Sequence, residues 1–118
     1  MKQVQRELSD LHVITFRNNV AKGWIGASTG PLAEDTHLFV RAGSVIVADA
    51  RRLNAGLCVG SSDLVGWSPL GRFVAIECKV GRGRLTPEQA NFLEQVRLAG
   101  GIAVESRTIE QTVREVCG

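Results

Sequence analysis

The chain has 118 residues, 44% of them hydrophobic and 22% charged, with a formal net charge of +2. That is the balance of one globular domain with a modest core of its own. Bulk charge does not announce a nucleic-acid binder, and no apolar run approaches the ~20 residues of a membrane span.

Gln3 to Leu11 reads as a short helix with Val4, Leu8 and Leu11 on one face. His12 to Phe16 is β-branched and aromatic and reads as a strand. Asn18 to Pro31 carries Gly23, Gly26 and Gly30 and reads as an extended loop or hairpin arm. Leu38–Val40 and Ser44–Val47 are short strand candidates on either side of Gly43. Arg51 to Cys58 is ambiguous, because Asn54-Ala55-Gly56 interrupts it.

The next stretch is the most informative. Trp67-Ser68-Pro69-Leu70-Gly71 is turn chemistry, and Arg72 to Val80 is rich in strand formers. A hairpin folded about position 70 sets Asp63 across from Glu77, with both side chains on one face. Alternation adds Lys79 to that face and leaves Val74, Ile76, Cys78 and Val80 on the other. Two facing acids repel, and burying them costs several kcal/mol unless they are paired or bound to metal. Oxygen ligands of this kind suit Mg²⁺, with Mn²⁺ as a substitute, and a neighbouring lysine can orient water and offset phosphate charge. The competing reading is a solvated Glu–Lys pair with Asp63 as a turn residue; the hairpin register and apolar flanks favour a site.

Beyond Gly81-Arg82-Gly83-Arg84, Thr86, Pro87 and Gln89 form a helix start: N-cap, first-position proline and capping box. Phe92, Leu93 and Val96 form its buried stripe, and Gly100-Gly101 ends it. Ile102 to Glu105 reads as a strand. Thr108 and Gln111 open a last helix with Ile109, Val113 and Val116 inward. Helices therefore pack on the faces of an α/β sheet. Arg82 and Arg84, together with Arg51 and Arg52, are candidates for phosphate contact. The three cysteines, 58, 78 and 117, are odd in number and lack zinc-site spacing. With no targeting segment visible, they point to a reducing cytoplasm. His12 and His37 have no ligand-like neighbours.

Asp63 with Glu77-Cys78-Lys79 resembles the signature of PD-(D/E)XK nucleases. The wider run is similar to the VRR-NUC branch, particularly its small stand-alone phage members: Gly60-Ser61-Ser62-Asp63-Leu64-Val65-Gly66, then Ala75-Ile76-Glu77-Cys78-Lys79, then Leu85-Thr86-Pro87-Glu88-Gln89-Ala90-Asn91-Phe92-Leu93. Phe16-Arg17-Asn18-Asn19 extends the likeness toward the N-terminus. The resemblance implies one nuclease domain over residues 1–118. Its fold would be a restriction-endonuclease-like mixed β-sheet flanked by helices, in the order α-β-β-β-α-β-α. It implies Asp63, Glu77 and the backbone carbonyl of Cys78 as Mg²⁺ ligands, with Lys79 and Gln89 as catalytic partners. For Gln89, the capping box is an equally sufficient explanation. The family also carries an acid on the N-terminal helix; Glu7 is the acid on offer, although the matching position falls more naturally on Gln3 or Gln5.

The expected activity is metal-dependent, structure-selective DNA cleavage by a homodimer, on branched DNA such as Holliday junctions, in the cytoplasm (of the host, if phage-encoded). The alternatives are a nicking or flap-type nuclease, and a non-catalytic DNA-binding module that keeps the fold.

Overall fold

The computed structural model describes residues 1–28, 34, 37 and 39–118. The elements in chain order are helix α1 (Lys2–Asp10) and strands β1 (Ile14–Arg17), β2 (Ala21–Ser28), β3 (Val47–Ala55), β4 (Leu64–Trp67) and β5 (Phe73–Cys78). Helix α2 (Pro87–Leu98), strand β6 (Ile102–Ser106) and helix α3 (Ile109–Cys117) complete the chain. They pack as two units, one of Met1–Val20 with Gly56–Gly118, the other of Ala21–Ala55.

The larger unit runs α-β-β-β-α-β-α; over the whole chain β2 and β3 add two strands to the expected order. Its four strands lie in the order β1-β4-β5-β6, antiparallel from β1 to β5 and parallel between β5 and β6. This mixed sheet flanked by helices is restriction-endonuclease-like. The β4–β5 hairpin closes through Ser68, which donates its backbone N–H to the Arg72 carbonyl at 2.9 Å. Leu64 pairs with Ile76 and Trp67 with Phe73, so the register is centred on position 70.

Strand alternation sorts the core. Val74 and Ile76 face Val4 and Leu8 of α1, Val104 of β6 and Val116 of α3. Ala75 faces Leu93 and Val96 of α2 on the opposite side. The central strand is thus buried on both faces, and each large aliphatic residue sealed there contributes roughly 1.5–3 kcal/mol. Two sequence expectations shift at the ends. Leu11 is exposed and Val13 takes its place in the core, because α1 stops at Asp10. Val80 is 89% exposed rather than on the apolar face. β5 ends at Cys78, and Gly83 closes a turn by donating to the Val80 carbonyl at 3.1 Å.

The smaller unit is an antiparallel ribbon, Ala21 opposite Ala55 to Ser28 opposite Val47, with a bulge between Ile25 and Ala27. β3 continues through Asn54 and ends at Ala55, and Gly56, at φ +87°, breaks the strand there, inside the stretch read as an interruption. Phe39, Val40 and Ser44–Ile46 are not strand, and Leu38 and Gly30 lie outside the described residues. Among the described residues no helix is long and apolar enough to cross a membrane.

Candidate active site

The β4–β5 ladder ends where the acids begin. Asp63 immediately precedes β4, and the backbone N–H of Cys78 donates to its Oδ2 at 2.9 Å. A side-chain carboxylate therefore caps the strand in place of a backbone carbonyl. This ties one oxygen of Asp63 to β5 and holds the acid beside Glu77.

Glu77 is 2% exposed, an unusual position for an acid. Its Oε1 accepts from Gln89 Nε2 at 3.0 Å and lies 3.6 Å from Lys79 Nζ. Its Oε2 is buried and has no hydrogen-bond partner among the described residues. Burial lifts the Glu77 carboxyl above its ordinary value, the negative charge of Asp63 adds to that, and the Lys79 ammonium opposes it. An unsatisfied buried carboxylate oxygen beside a second acid is what a hard divalent cation fits. Among the described residues no three His, Cys, Asp or Glu side chains form a cation site, so any cation would complete its shell with water and backbone oxygen, as Mg²⁺ readily does.

Gln89 fills both roles that the sequence left open, with different atoms. Its Oε1 accepts from Thr86 N at 2.9 Å while its own N–H donates to Thr86 Oγ1 at 3.2 Å, completing the capping box. The Nε2 group that remains reaches Glu77. Cys78 turns its thiol toward the aliphatic core around Ile76, where burial above all, and then Asp63, push its pKa up. It stays a neutral thiol, leaving only its carbonyl as a ligand atom.

Lys79 is held at its backbone by β6, donating its N–H to the Ser106 carbonyl at 3.0 Å. Arg82 and Arg84 follow on an exposed loop. Arg51 and Arg52 belong to the β2–β3 ribbon, where the Arg52 guanidinium lies 5.7 Å from the Trp24 ring centroid. Glu7 is exposed on α1, whose buried residues pack on the sheet face opposite Glu77. The structure thus brings Asp63, Glu77, Lys79 and Gln89 together, and among the described residues Glu7 forms no three-acid cluster with Asp63 and Glu77.

Sequence reasoning missed the wall beside these residues. Asn18 donates from Nδ2 to Ser61 Oγ at 2.7 Å and to the Ser62 carbonyl at 3.0 Å, and its Oδ1 accepts from Leu57 N at 3.1 Å. Its backbone N–H donates to the Asp63 carbonyl at 2.8 Å. One residue thereby fastens the Leu57–Asp63 loop to the end of β1. Gly60, at φ +85°, lets this loop meet α2: a Cβ there would lie 2.6 Å from the Glu88 carbonyl carbon. The result is a mostly polar cleft of about 310 Å³, lined by Asn18, Asn19, Val20, Gly60, Ser61, Asp63 and Gln89. Adjacent asparagines at a strand end were the available signal, since only a side chain with both donors and an acceptor can make this set of bonds.

An α-β-β-β-α-β-α sheet with two acids and a lysine at the end of its paired strands defines a nuclease-type domain of the PD-(D/E)XK superfamily. The VRR-NUC domain model matches residues 30–107, and the chain belongs to the VRR-NUC family. The match takes in β3 to β6 with α2, and leaves α1, β1, β2 and α3 outside it. No curated protein matches the chain.

Proposed function

We propose that the protein is a metal-dependent endonuclease that cleaves branched DNA, such as Holliday junctions, as a homodimer. The observation that carries the reading is Glu77: a buried acid with one oxygen held by Gln89 and the other unsatisfied, next to Asp63 and Lys79. Asp63, Glu77 and the Cys78 carbonyl would hold Mg²⁺ or Mn²⁺. When bound, the cation supplies Lewis acidity toward a phosphate oxygen and acidifies water. Lys79 orients the attacking water and offsets the charge that builds on the phosphate as a P–O ester bond breaks. Gln89 keeps the Glu77 carboxylate turned for that work. Arg82 and Arg84 track the backbone, with Arg51 and Arg52 as further phosphate contacts, so affinity falls with salt. Backbone contacts of this kind carry little sequence information.

A chain of 118 residues spans little of a junction, and paired cuts on opposite strands need two sites related by a two-fold axis. Trp24 and Ile25, 65% and 46% exposed, are apolar material of the kind a second copy would cover. The three free cysteines fit work in a reducing cytoplasm.

The test is cleavage of a labelled four-way junction beside linear duplex and flap, with Mg²⁺, Mn²⁺ or EDTA, using wild type and Lys79→Ala. Paired symmetric cuts that need both metal and Lys79 are expected. Single cuts on flap or duplex indicate a nicking or flap-type enzyme, and binding without cutting in any metal indicates a non-catalytic module. Light scattering that reports only a monomer removes the paired-cut mechanism.

A further inference from the structure

We infer that Arg107 is a positioning residue that sets the DNA-contacting loop of this nuclease, by clamping the backbone on either side of Arg82. The inference rests on the reading of Arg82 and Arg84 as phosphate contacts.

The loop from Val80 to Leu85 leaves the sheet directly after Lys79 and has little of its own to hold it. Val80, Arg82 and Arg84 are exposed, and the one backbone bond closing it runs from Gly83 N to the Val80 carbonyl. Its two glycines lower the cost of alternative shapes, and Gly81 sits at φ +58°. Left alone, such a loop would present two arginines in many arrangements and lose entropy on binding.

Arg107 removes that freedom. It lies just past the end of β6, and the parallel pairing of Glu77 with Glu105 and of Cys78 with Ser106 carries it alongside the start of the loop. Its Nη1 donates to the Gly81 carbonyl at 3.1 Å and its Nη2 to the Gly83 carbonyl. Nη2 also meets Glu105 Oε1, so the guanidinium is itself aimed by an acid one turn of the pleat away. These two carbonyls flank Arg82 and precede Arg84. A guanidinium spans them with a rigid planar fork, which an ammonium lacks. The same side chain thus spends its donors on the protein, while lining the same open cleft as Arg82 and Arg84.

The experiment compares wild type, Arg107→Lys, Arg82→Ala/Arg84→Ala, and the triple variant combining them. DNA affinity is read as a function of salt on a fluorescein-labelled duplex in Ca²⁺, and turnover is read at saturating DNA in Mg²⁺. Arg107→Lys keeps the charge and loses the fork. It is expected to weaken binding roughly tenfold and to lower the salt slope by up to about 2, as two phosphate contacts loosen. On the Arg82→Ala/Arg84→Ala background the same change should alter affinity less than about twofold. Turnover at saturation should stay near wild type, so the loss appears in KM. Limited trypsin digestion, followed by mass spectrometry, should show faster cutting after Arg82 and Arg84 in Arg107→Lys, at an unchanged melting temperature.

An equal loss of affinity on both backgrounds overturns the clamp, because Arg107 would then act independently of the loop. Unchanged trypsin cutting overturns it as well. Wild type that binds DNA without salt dependence, while Arg107→Lys still loosens the loop, refutes the phosphate-contact reading and the function assigned to the clamp with it.

Discussion

Glu77→Gln is expected to stabilise the metal-free protein while abolishing cleavage. The wild-type acid is 2% exposed, one of its oxygens has no partner, and Asp63 faces it. Its pKa is raised from 4.5, chiefly by burial, and the Lys79 ammonium only partly offsets this. The sign follows from proton linkage. The folded protein holds this proton to higher pH than the unfolded chain, so stability falls as pH rises from about 4.5 through the folded value. Above that value the full penalty is present, at about 1.4 kcal/mol for each pKa unit.

Glutamine removes the charge and keeps the shape. Its oxygen still accepts from Gln89, and its amide places a donor beside Asp63. A gain of roughly 1–3 kcal/mol at about pH 8 is expected, because relief of the desolvation and of the Asp63 repulsion outweighs the loss of the 3.6 Å ion pair with Lys79. For a domain of this size that raises Tm by roughly 3–12 °C. The assay is thermal unfolding followed by circular dichroism in EDTA, from about pH 5 to about pH 8. The gain should grow with pH. Adding Mg²⁺ should stabilise wild type, by about 2.7 kcal/mol at a hundred times Kd, and leave the variant unmoved. A variant no more stable than wild type at the alkaline end, or one with the same pH slope, would refute the reasoning.

Lys79→Ala should lower turnover about a hundredfold or more while DNA affinity changes only a few-fold, as gel-shift and single-turnover assays would show. Gln89→Glu keeps the capping box and replaces the donor to Glu77 with a like charge, so cleavage should fall at least about tenfold; Gln89→Ala should in addition cost about 1 kcal/mol of stability through the cap. Gly60→Ala should destabilise by about 2 kcal/mol or more in urea titration, since it combines a positive φ with a Cβ driven into the Glu88 backbone. Asn18→Ala should loosen the Leu57–Asp63 loop, visible as faster hydrogen exchange at Leu57, whose N–H loses its acceptor.

What could be read from sequence was what short-range chemistry decides. The Pro69–Gly71 turn sets the β4–β5 register, so the pairing of Asp63 with Glu77 followed from a midpoint. The α2 start followed from Thr86, Pro87 and Gln89. The β2–β3 ribbon was legible only in part, as a hairpin arm within Asn18–Pro31, for the opposite reasons. Ala21 finds Ala55 across a long connection rather than a tight turn, and Val47–Ala55 is rich in Ala, Arg, Asp and Asn. Its residues are mostly exposed, so no alternation of apolar and polar residues marks the strand. Arg107 was hidden because its partners come to it through the parallel β5–β6 pairing, whose register no local turn fixes.

The site's chemistry and its fold are joined atom by atom. Each acid has one oxygen committed to structure: Asp63 Oδ2 takes the N–H that the end of the ladder would leave free, and Glu77 Oε1 takes the amide that also caps α2. Such an arrangement fixes both carboxylates without using up their capacity to bind, and Glu77 Oε2 is left unsatisfied as a consequence. It also explains why the acids sit at the end of β5 rather than in its middle. There the backbone N–H of Cys78 has no strand partner of its own, and the same strand continues into Lys79 and the arginine loop. Moving the pair two residues toward the turn would put the acids at the positions of Val65 and Ala75, the latter against Leu93 and Val96, where neither an unpaired N–H nor the α2 amide could hold them. The penalty of burying Glu77 is therefore localised at the one point of the sheet where the fold can orient the charge that the chemistry requires.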